Sequence, residues 1–459
     1  MELFSGVLPE ITISIIQNLR NDFGSLYSCA LVNRNLCRIT IPILWEDPFF
    51  VMYQEGRDRS NFLFIYLLFL NDEDKERLKR LGFFSEICRK SKFLSDIKYF
   101  TLDFKQGGII RILPPNSSYQ YLLKYLPSAI TTNKHFTIYF GLEGILSEEN
   151  LENLIQSQTQ LLSLTLHYIS PQVAYLLSPF KYCSKTLTSI KFNSCDFTNI
   201  SSLNGLYYLV HLESLQFKLC KGVTVQVFRP LLDIPTPLKI KTLTLEGQNM
   251  EINFIRLLFQ KVGSFLENLE IYLWEDIERQ IVFESIINYC DKIQFLHLYE
   301  IDHVDILPFF KLITHVRKNL KYLSLSNKTS DCMSINMDHL RVCSMILDNL
   351  GQILPDSLKY LELKLEIDPT NLKIFLDNCK HIDGLSRLLV INKYNKDIKI
   401  TFELLKEFVS EKKVMNFAYQ VKSLFFRGDQ NLEWVANEIQ PFKELYYDLI
   451  IRISDFDVI

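Results

Sequence analysis

The 459-residue sequence lacks the residue patterns on which most enzymes and secreted proteins depend. Its ten cysteines include no Cys-x-x-Cys pair, and no histidine–cysteine cluster has the spacing of a zinc site. A glycine-rich phosphate loop, His-Glu-x-x-His and Gly-x-Ser-x-Gly are all missing, and the eight histidines are scattered. We therefore expect no disulfide framework, no metal or cofactor, and no catalytic site.

Long apolar runs and an excess of basic residues are also missing. The longest apolar run, residues 62–70, is far shorter than the roughly 20 residues that span a bilayer. Residues 1–10 lack the basic start and apolar run of a signal peptide. A net charge of −3 gives no general attraction for nucleic acid. We expect a cytoplasmic or nuclear protein that binds neither membranes nor nucleic acid.

The sequence does contain a recurring apolar frame. Leu187, Ile190 and Phe192 occupy its first, fourth and sixth positions, and Cys195 follows at the ninth. The complete series is Leu161/Leu164/Leu166, Leu187/Ile190/Phe192, Leu212/Leu215/Phe217, Ile240/Leu243/Leu245, Leu266/Leu269/Ile271, Ile293/Leu296/Leu298, Leu320/Leu323/Leu325, Leu358/Leu361/Leu363, Leu385/Leu388/Val390 and Val421/Leu424/Phe426. Successive frames begin 26, 25, 28, 26, 27, 27, 38, 27 and 36 residues apart. Weaker versions occur at Ile97/Phe100/Leu102 and Phe136/Ile138. Such a period is typical of a repeat array.

The frame predicts a strand and a helix in each repeat. Apolar residues at the fourth and sixth positions alternate with polar ones, as in a strand with one buried face. The remaining residues of each unit are long enough for a helix on the opposite side. One unit cannot bury its apolar face alone, so the units must stack. The pattern resembles leucine-rich repeats, which implies an α/β fold: a curved solenoid with one strand and one helix per ~26-residue repeat. The alternative is a series of unrelated amphipathic strands in an α/β domain.

A different segment precedes the repeats. Leu8-Pro9 opens a helical pattern that runs to Leu19, and Asp22 is a suitable cap for a second helix, predicted from Leu26 to Cys37. A further segment ends at Leu44-Trp45, with Pro42 predicted to limit its helix. Leu-Pro at the start, Leu-x-x-Cys-Ala-Leu-Val-Asn-Arg in the middle and Leu-Trp at the end resemble an F-box over residues 4–48. The alternative is an unrelated helical cap, which repeat arrays need at their ends.

The F-box resemblance implies a docking surface for a Skp-family adaptor, built by helix-in-groove recognition. By the family's pattern, the adaptor-binding positions are Leu8, Pro9, Ile16, Leu19, Leu31, Val32 and Leu36. Some of these must form the core of the small module, and the sequence alone does not separate the two groups.

The repeats predict a second binding surface, on the concave face. If the fourth and sixth positions point inward, the third, fifth and seventh line the opposite face of the sheet. Aromatic residues gather there in the later units, and exposed aromatics are typical of binding hot spots. The predicted substrate-binding residues are Tyr272, Phe295, His297, Tyr299, Tyr322 and Tyr360. The alternative is that these aromatic residues simply favour strands.

Together these patterns predict three regions: an F-box-like helical module at 1–50, connecting helices at 51–95, and a repeat solenoid with a C-terminal cap at 96–459. The resemblance implies the non-catalytic, substrate-recognition subunit of an SCF-type cullin–RING ubiquitin ligase, which binds a Skp-family adaptor and an unknown target protein. One alternative is a leucine-rich-repeat interaction scaffold without a ligase role. Another is an enzyme embedded in repeats, which turnover by the isolated chain would reveal.

Overall fold

The computed structural model describes residues 9–19, 22–44, 99–103, 134–139, 148–169, 180–247, 250–273, 276–327, 337–392 and 397–421. The chain divides into two compact units, one of Met1–Phe192 with Leu203–His211 and the other of Asn193–Ser202 with Leu212–Ile459. The predicted connecting helices of 51–95 and the predicted C-terminal cap lie outside the described residues. None of the helices that the model describes is both long and apolar enough to traverse a bilayer.

The first unit begins with three helices and continues into parallel strands. Its elements are α1 (Pro9–Asn18), α2 (Phe23–Val32), α3 (Arg34–Leu44), β1 (Tyr99–Asp103), β2 (His135–Tyr139), α4 (Glu148–Ser157), β3 (Ser163–His167), α5 (Phe180–Cys183) and β4 (Ser189–Asn193), with a 3-10 helix at Asn204–Tyr208. The strands lie in the order β1-β2-β3-β4.

Side-chain caps set the boundaries of the N-terminal helices. The Asp22 Oδ1 accepts a hydrogen bond of 3.0 Å from the Ser25 N–H, which confirms the predicted cap. The predicted second helix to Cys37 is wrong, because Asn33 is extended and its Oδ1 accepts from the Leu36 N–H at 2.9 Å. Asn33 thereby ends α2 and caps α3. Pro42 lies inside α3, which continues to Leu44, so the predicted limit at Pro42 is also wrong.

The weaker frames of the first unit form regular strands. Phe100 pairs with Phe136 in parallel register, and Phe136 pairs with Leu164. Phe136, Ile138 and Leu164 are each at most 2% exposed, so the fourth and sixth frame positions do face the core. The Phe136/Ile138 frame is therefore a true member of the repeat, and Phe100 and Leu102 pair with it in register, while Ile97 lies outside the described residues.

The second unit alternates strands and helices along its whole described length. Its elements are β5 (Ser214–Cys220), α6 (Val225–Leu232), β6 (Thr242–Gly247), α7 (Ile252–Val262), β7 (Asn268–Leu273), α8 (Asp276–Tyr289), β8 (Phe295–Tyr299), α9 (Ile306–Val316), β9 (Tyr322–Ser326), α10 (Met337–Ile353), β10 (Tyr360–Leu365), α11 (Pro369–Asn378), β11 (Arg387–Asn392), α12 (Ile398–Lys412) and β12 (Asn416–Val421), with 3-10 helices at Gly263–Phe265 and His303–Asp305. The strands lie in chain order, β5 to β12.

The register of this sheet follows the predicted frames. Leu243 pairs with Leu269, Leu269 with Leu296 and Leu296 with Leu323, all in parallel. These leucines are fully buried. Parallel strands joined by helices, with leucines stacked in register, are the architecture of a leucine-rich-repeat array. The predicted α/β class and strand-helix repeat are confirmed.

The last predicted frame is wrong. Phe417, and not Leu424, pairs with Leu388, and Tyr419 pairs with Val390. Both aromatic side chains are buried, at 4% and 3% exposure. The repeat therefore continues through Val414, Phe417 and Tyr419, where aromatic side chains replace the leucines. The 36-residue interval disappears with this correction, since Val414 follows Leu385 after a near-normal spacing.

The turns after β4 and β5 each have a local stabilising contact at a cysteine. The Cys195 Sγ lies 3.5 Å from the Asn193 carbonyl oxygen, and the Cys220 Sγ lies 3.3 Å from that of Lys218. The ninth position of these two repeats therefore contacts a backbone carbonyl at the bend. The eighth position has a positive φ at Ser194 and Leu219, 52° in each, which reverses the chain towards the following segment.

Helices and sheet enclose an aromatic-rich core on one face. The Phe217 ring packs edge-to-face on Phe228 and Phe254, with ring centroids 5.0 and 5.9 Å apart. Strands β8 to β11 also bury residues of the other face, among them Phe295, Tyr360 and Leu389. This second layer determines which predicted site residues are accessible.

Candidate functional site: two partner-binding surfaces

The N-terminal helices form a small module with a core of its own. Ile16, Leu26, Leu36 and Ile43 are buried together, and Leu19 packs against them half-buried. Of the predicted adaptor-binding residues, Ile16 and Leu36 are thus wrong as surface contacts, because they fill the core at 3% and 6% exposure. Leu8 and the side chain of Pro9 lie outside the described residues, although Pro9 begins α1.

The same module exposes large apolar side chains. Leu31 is 69% exposed and Val32 63% exposed, at the end of α2. Tyr27, four residues before Leu31 and so on the same side of the helix, is 53% exposed, and Ile15 on α1 is 52% exposed. We call Tyr27, Leu31 and Val32 the module patch. A helix with exposed leucine and valine side by side is typical of a surface that a partner covers.

The second surface is the face of the second unit's sheet that points away from the helices. Parallel register arranges its side chains in rows across the strands. The first row contains Asn268, Phe295, Tyr322 and Tyr360; the middle row contains Thr244, Glu270, His297, Ser324 and Glu362; the last row contains Glu246, Tyr272, Tyr299, Ser326 and Lys364. All six predicted substrate-binding residues lie in these rows, as the frame predicts.

Their predicted exposure is wrong for three of the six. Phe295 and Tyr360 are each 1% exposed, and His297 is 8% exposed. Tyr322 lies between Phe295 and Tyr360, with ring centroids 6.4 Å from each, and is half-buried. Tyr360 also joins a small core with Leu389. The first row is therefore largely a second apolar layer. Of the six predicted residues, Tyr272, Tyr299 and Tyr322 still offer side-chain surface to a partner.

The last row presents two tyrosines side by side. The Tyr272 and Tyr299 ring centroids lie 5.0 Å apart, and both side chains are half-buried. The Tyr272 hydroxyl donates a hydrogen bond of 3.1 Å to the Glu300 carboxylate. Burial raises the pKa of Tyr272 to about 12, and the negative charge of Glu300 acts in the same direction. The Tyr272 phenol is a neutral donor at physiological pH.

The middle row contains buried ionisable groups. His297 Nδ1 lies 3.6 Å from Glu270 Oε1, and the imidazole stacks on Tyr299 with centroids 4.1 Å apart. Burial lowers the pKa of His297 well below its usual value of 6.5, and the positive charges of Lys364 and Lys218 reinforce this. His297 is therefore neutral at physiological pH.

The carboxylates of this face differ in how fully they are paired. Glu362 Oε1 lies 2.6 Å from Lys364 Nζ, and the Ser324 hydroxyl donates to Glu362 Oε2. Glu246 lies 3.9 Å from Lys218 Nζ, beyond hydrogen-bond distance. Burial raises the pKa of Glu246; Lys218 opposes this shift and the nearby Glu270 adds to it. Glu246 and Glu270 thus repel each other, while Lys364 balances the negative charge of Glu362.

The repeat frames place all three glutamates on the predicted concave face, although they are not among the predicted binding residues. Glu246 is at the seventh position of its frame, while Glu270 and Glu362 are at the fifth positions of theirs. Their contacts depend on the parallel register of neighbouring strands, which no single frame contains. Within the part of the chain that the model describes, histidine, cysteine, aspartate and glutamate form no group suited to a metal ion.

No protein-family model matches the chain, and none of the curated proteins matches it. Among solved structures, the leucine-rich repeat-containing protein LegL7 from Legionella pneumophila is similar to it with a TM-score of 0.36 and 12% identity, over 63% of this chain and 91% of that chain.

Proposed function

We propose that this protein is the substrate-recognition subunit of an SCF-type cullin–RING ubiquitin ligase. The helical module at residues 9–44 docks a Skp-family adaptor, and the repeats bind the target protein. The proposal depends on the F-box pattern of the sequence together with one structural observation: Leu31 and Val32 are exposed while Ile16 and Leu36 form a core beneath. A module that has a core and still exposes an apolar pair is suited to a partner's groove.

In this function the chain itself transfers nothing. The adaptor and cullin bring a ubiquitin-charged enzyme close to the target, so that catalysis depends on effective concentration. The repeats contribute a broad sheet face whose accessible part includes Tyr272, Tyr299 and Tyr322.

The test is co-purification from cells of the full chain, a chain without residues 1–50, and the double variant Leu31→Asp/Val32→Asp. Both substituted residues are more than half exposed, so the double variant should remain folded. We expect the adaptor and cullin to accompany the full chain only. A matched control is Leu307→Asp/Met415→Asp, because these residues are 73% and 75% exposed and lie in the second unit. Equal recovery of the adaptor with both double variants would contradict the proposal.

The second candidate is a repeat scaffold without a ligase role. It is favoured by the sheet face, whose aromatic and charged rows are built entirely from the second unit and do not require the module. Capture of a partner protein by the folded chain, with no adaptor or cullin present, would support this candidate.

A further inference from the structure

Glu246 and Glu270 occupy diagonal positions on adjacent strands of the sheet face and have few donors. Glu270 accepts one hydrogen bond, from the Thr244 hydroxyl at 3.3 Å, and its other near neighbour is the neutral His297. Among the described residues, the cation nearest to Glu246 is Lys218, whose Nζ lies 3.9 Å from the carboxylate. A carboxylate offers about four acceptor positions, so both groups retain acceptor capacity.

His297 adds an independent sign of an incomplete site. The residue is 8% exposed, and its Nε2 is buried with no hydrogen-bond partner in the part of the chain that the structure describes. With the imidazole neutral, a proton on Nδ1 faces Glu270 and leaves Nε2 as a bare acceptor. Buried polar atoms in native proteins are generally paired, so an orphaned acceptor on a ring that faces Glu270 indicates a missing donor.

The neighbouring rings suit a positive charge. Tyr299 stacks on His297 and lies 5.0 Å from Tyr272, so two aromatic rings adjoin the carboxylates. Ring faces attract ammonium and guanidinium groups. The other lysine of this face, Lys364, is held at 2.6 Å from Glu362 and is therefore occupied.

We propose that Glu246, Glu270, Tyr272, His297 and Tyr299 form a cation site that receives a lysine or arginine side chain of the partner protein. This proposal deepens the proposed function and rests on it. The carboxylates supply charge, the His297 Nε2 accepts one N–H, and the tyrosine rings line the approach. Ammonium and guanidinium groups carry several N–H donors and no acceptor, which complements a set of acceptors. An acidic or phosphorylated segment would instead meet two under-neutralised carboxylates.

The test is fluorescence anisotropy with the purified full chain and labelled glycine–serine peptides. One peptide carries two adjacent lysines, a second two arginines, and a third two glutamates. We expect the two basic peptides to bind and the acidic peptide not to bind. In the double variant Glu246→Gln/Glu270→Gln, affinity for the basic peptides should fall by about tenfold.

A matched control excludes general charge effects. Glu284→Gln/Glu407→Gln makes the same change in net charge at exposed positions on α8 and α12. We expect it to leave peptide affinity nearly unchanged at about 150 mM salt, where distant charges are screened. Circular dichroism checks folding. If the double variant unfolds, the single variant Glu246→Gln, at a half-buried position, replaces it in the peptide titrations.

Three results would overturn the cation site: no binding of either basic peptide by the folded chain, preference for the acidic peptide, or equal losses in both double variants. None of them bears on the module patch. If adaptor and cullin still co-purify with the Glu246→Gln/Glu270→Gln chain, the proposed function stands without this site.

Discussion

The Asn392 side chain bridges both backbone groups of Ile367 on the preceding repeat. Its Oδ1 accepts from the Ile367 N–H at 3.0 Å, and its Nδ2 donates to the Ile367 carbonyl at 3.3 Å. Asn392 is fully buried, so its side-chain amide is not exposed to water. One amide side chain thereby joins successive turns of the array.

Asn392→Ala should lower the free energy of unfolding by about 3 kcal/mol, because it leaves a buried N–H and a buried carbonyl without these partners. Urea denaturation followed by far-UV circular dichroism measures the change. The control is Asn253→Ala, at an exposed position on α7, for which we expect a change within about 0.5 kcal/mol. Similar losses in both variants would contradict the structural role of the bridge.

Gly351→Ala should destabilise the protein even though alanine is the better helix former. An added Cβ would lie 2.7 Å from the Asn378 Cβ and 2.8 Å from the Phe375 carbonyl oxygen, where α10 approaches α11. The expected net loss is about 1–2 kcal/mol, since overpacking outweighs a helix-propensity gain of about 1 kcal/mol. In the control Gly24→Ala, the added Cβ has 3.6 Å to Asp22 Oδ1, so stability should not fall. A gain in stability in both variants would contradict the predicted clash, since it would show that α10 and α11 move apart freely.

Leu219→Asn should raise stability. Leu219 has a φ of 52°, which disfavours leucine and suits asparagine, and its side chain is 56% exposed. We expect a gain of about 1 kcal/mol in the free energy of unfolding. The comparison is Leu307→Asn on α9, 73% exposed but helical, where asparagine should give no gain. Equal changes in the free energy of unfolding at the two positions would show that backbone conformation is not the cause.

His297 should make the second unit less stable as the pH falls. The unfolded histidine binds a proton below about pH 6.5, whereas the folded one, with its lowered pKa, does not. The stability that the neutral His297 contributes is therefore fully present above pH 6.5. As the pH falls below this value, the free energy of unfolding decreases by up to about 1.4 kcal/mol per pH unit. The charged groups that act on the ring are Glu270 on β7, Lys218 on β5 and Lys364 on β10, which is paired with Glu362.

Urea denaturation between pH 7.5 and 5.5 tests this dependence, because most carboxylates remain ionised over that range. His297→Gln should show a smaller loss of stability on acidification than the unsubstituted chain. His211→Gln, at an exposed position, should retain the full loss. Parallel pH profiles for all three chains would contradict a neutral, buried His297.

The repeat fold follows from the sequence because each strand has the same local pattern. Leu243, Leu269 and Leu296 are predicted to be buried and stacked, and they are. The last frame could not be located by leucine spacing, because Phe417 and Tyr419 replace the aliphatic residues there. The break between α2 and α3 depends on the Asn33 side chain bonding the Leu36 N–H, a local contact that apolar periodicity does not reveal.

The candidate surfaces were predicted less completely. Strand alternation places Phe295 and Tyr299 on the same face correctly but does not give their exposure, because that depends on neighbouring strands. The same limit applies to the module, where Leu31 and Leu36 are the same residue type but one is exposed and the other is buried. The pairing of Glu270 with His297 requires the parallel register of β7 and β8, which no single repeat contains.

The most direct test of the proposed ligase role is calorimetric titration of the purified full chain with a purified Skp-family adaptor. The proposal predicts a saturable one-to-one complex for the unsubstituted chain and for Leu307→Asp/Met415→Asp. For Leu31→Asp/Val32→Asp, affinity should fall by at least about 100-fold. A folded, unsubstituted chain that gives no binding would contradict the proposal and favour the repeat scaffold.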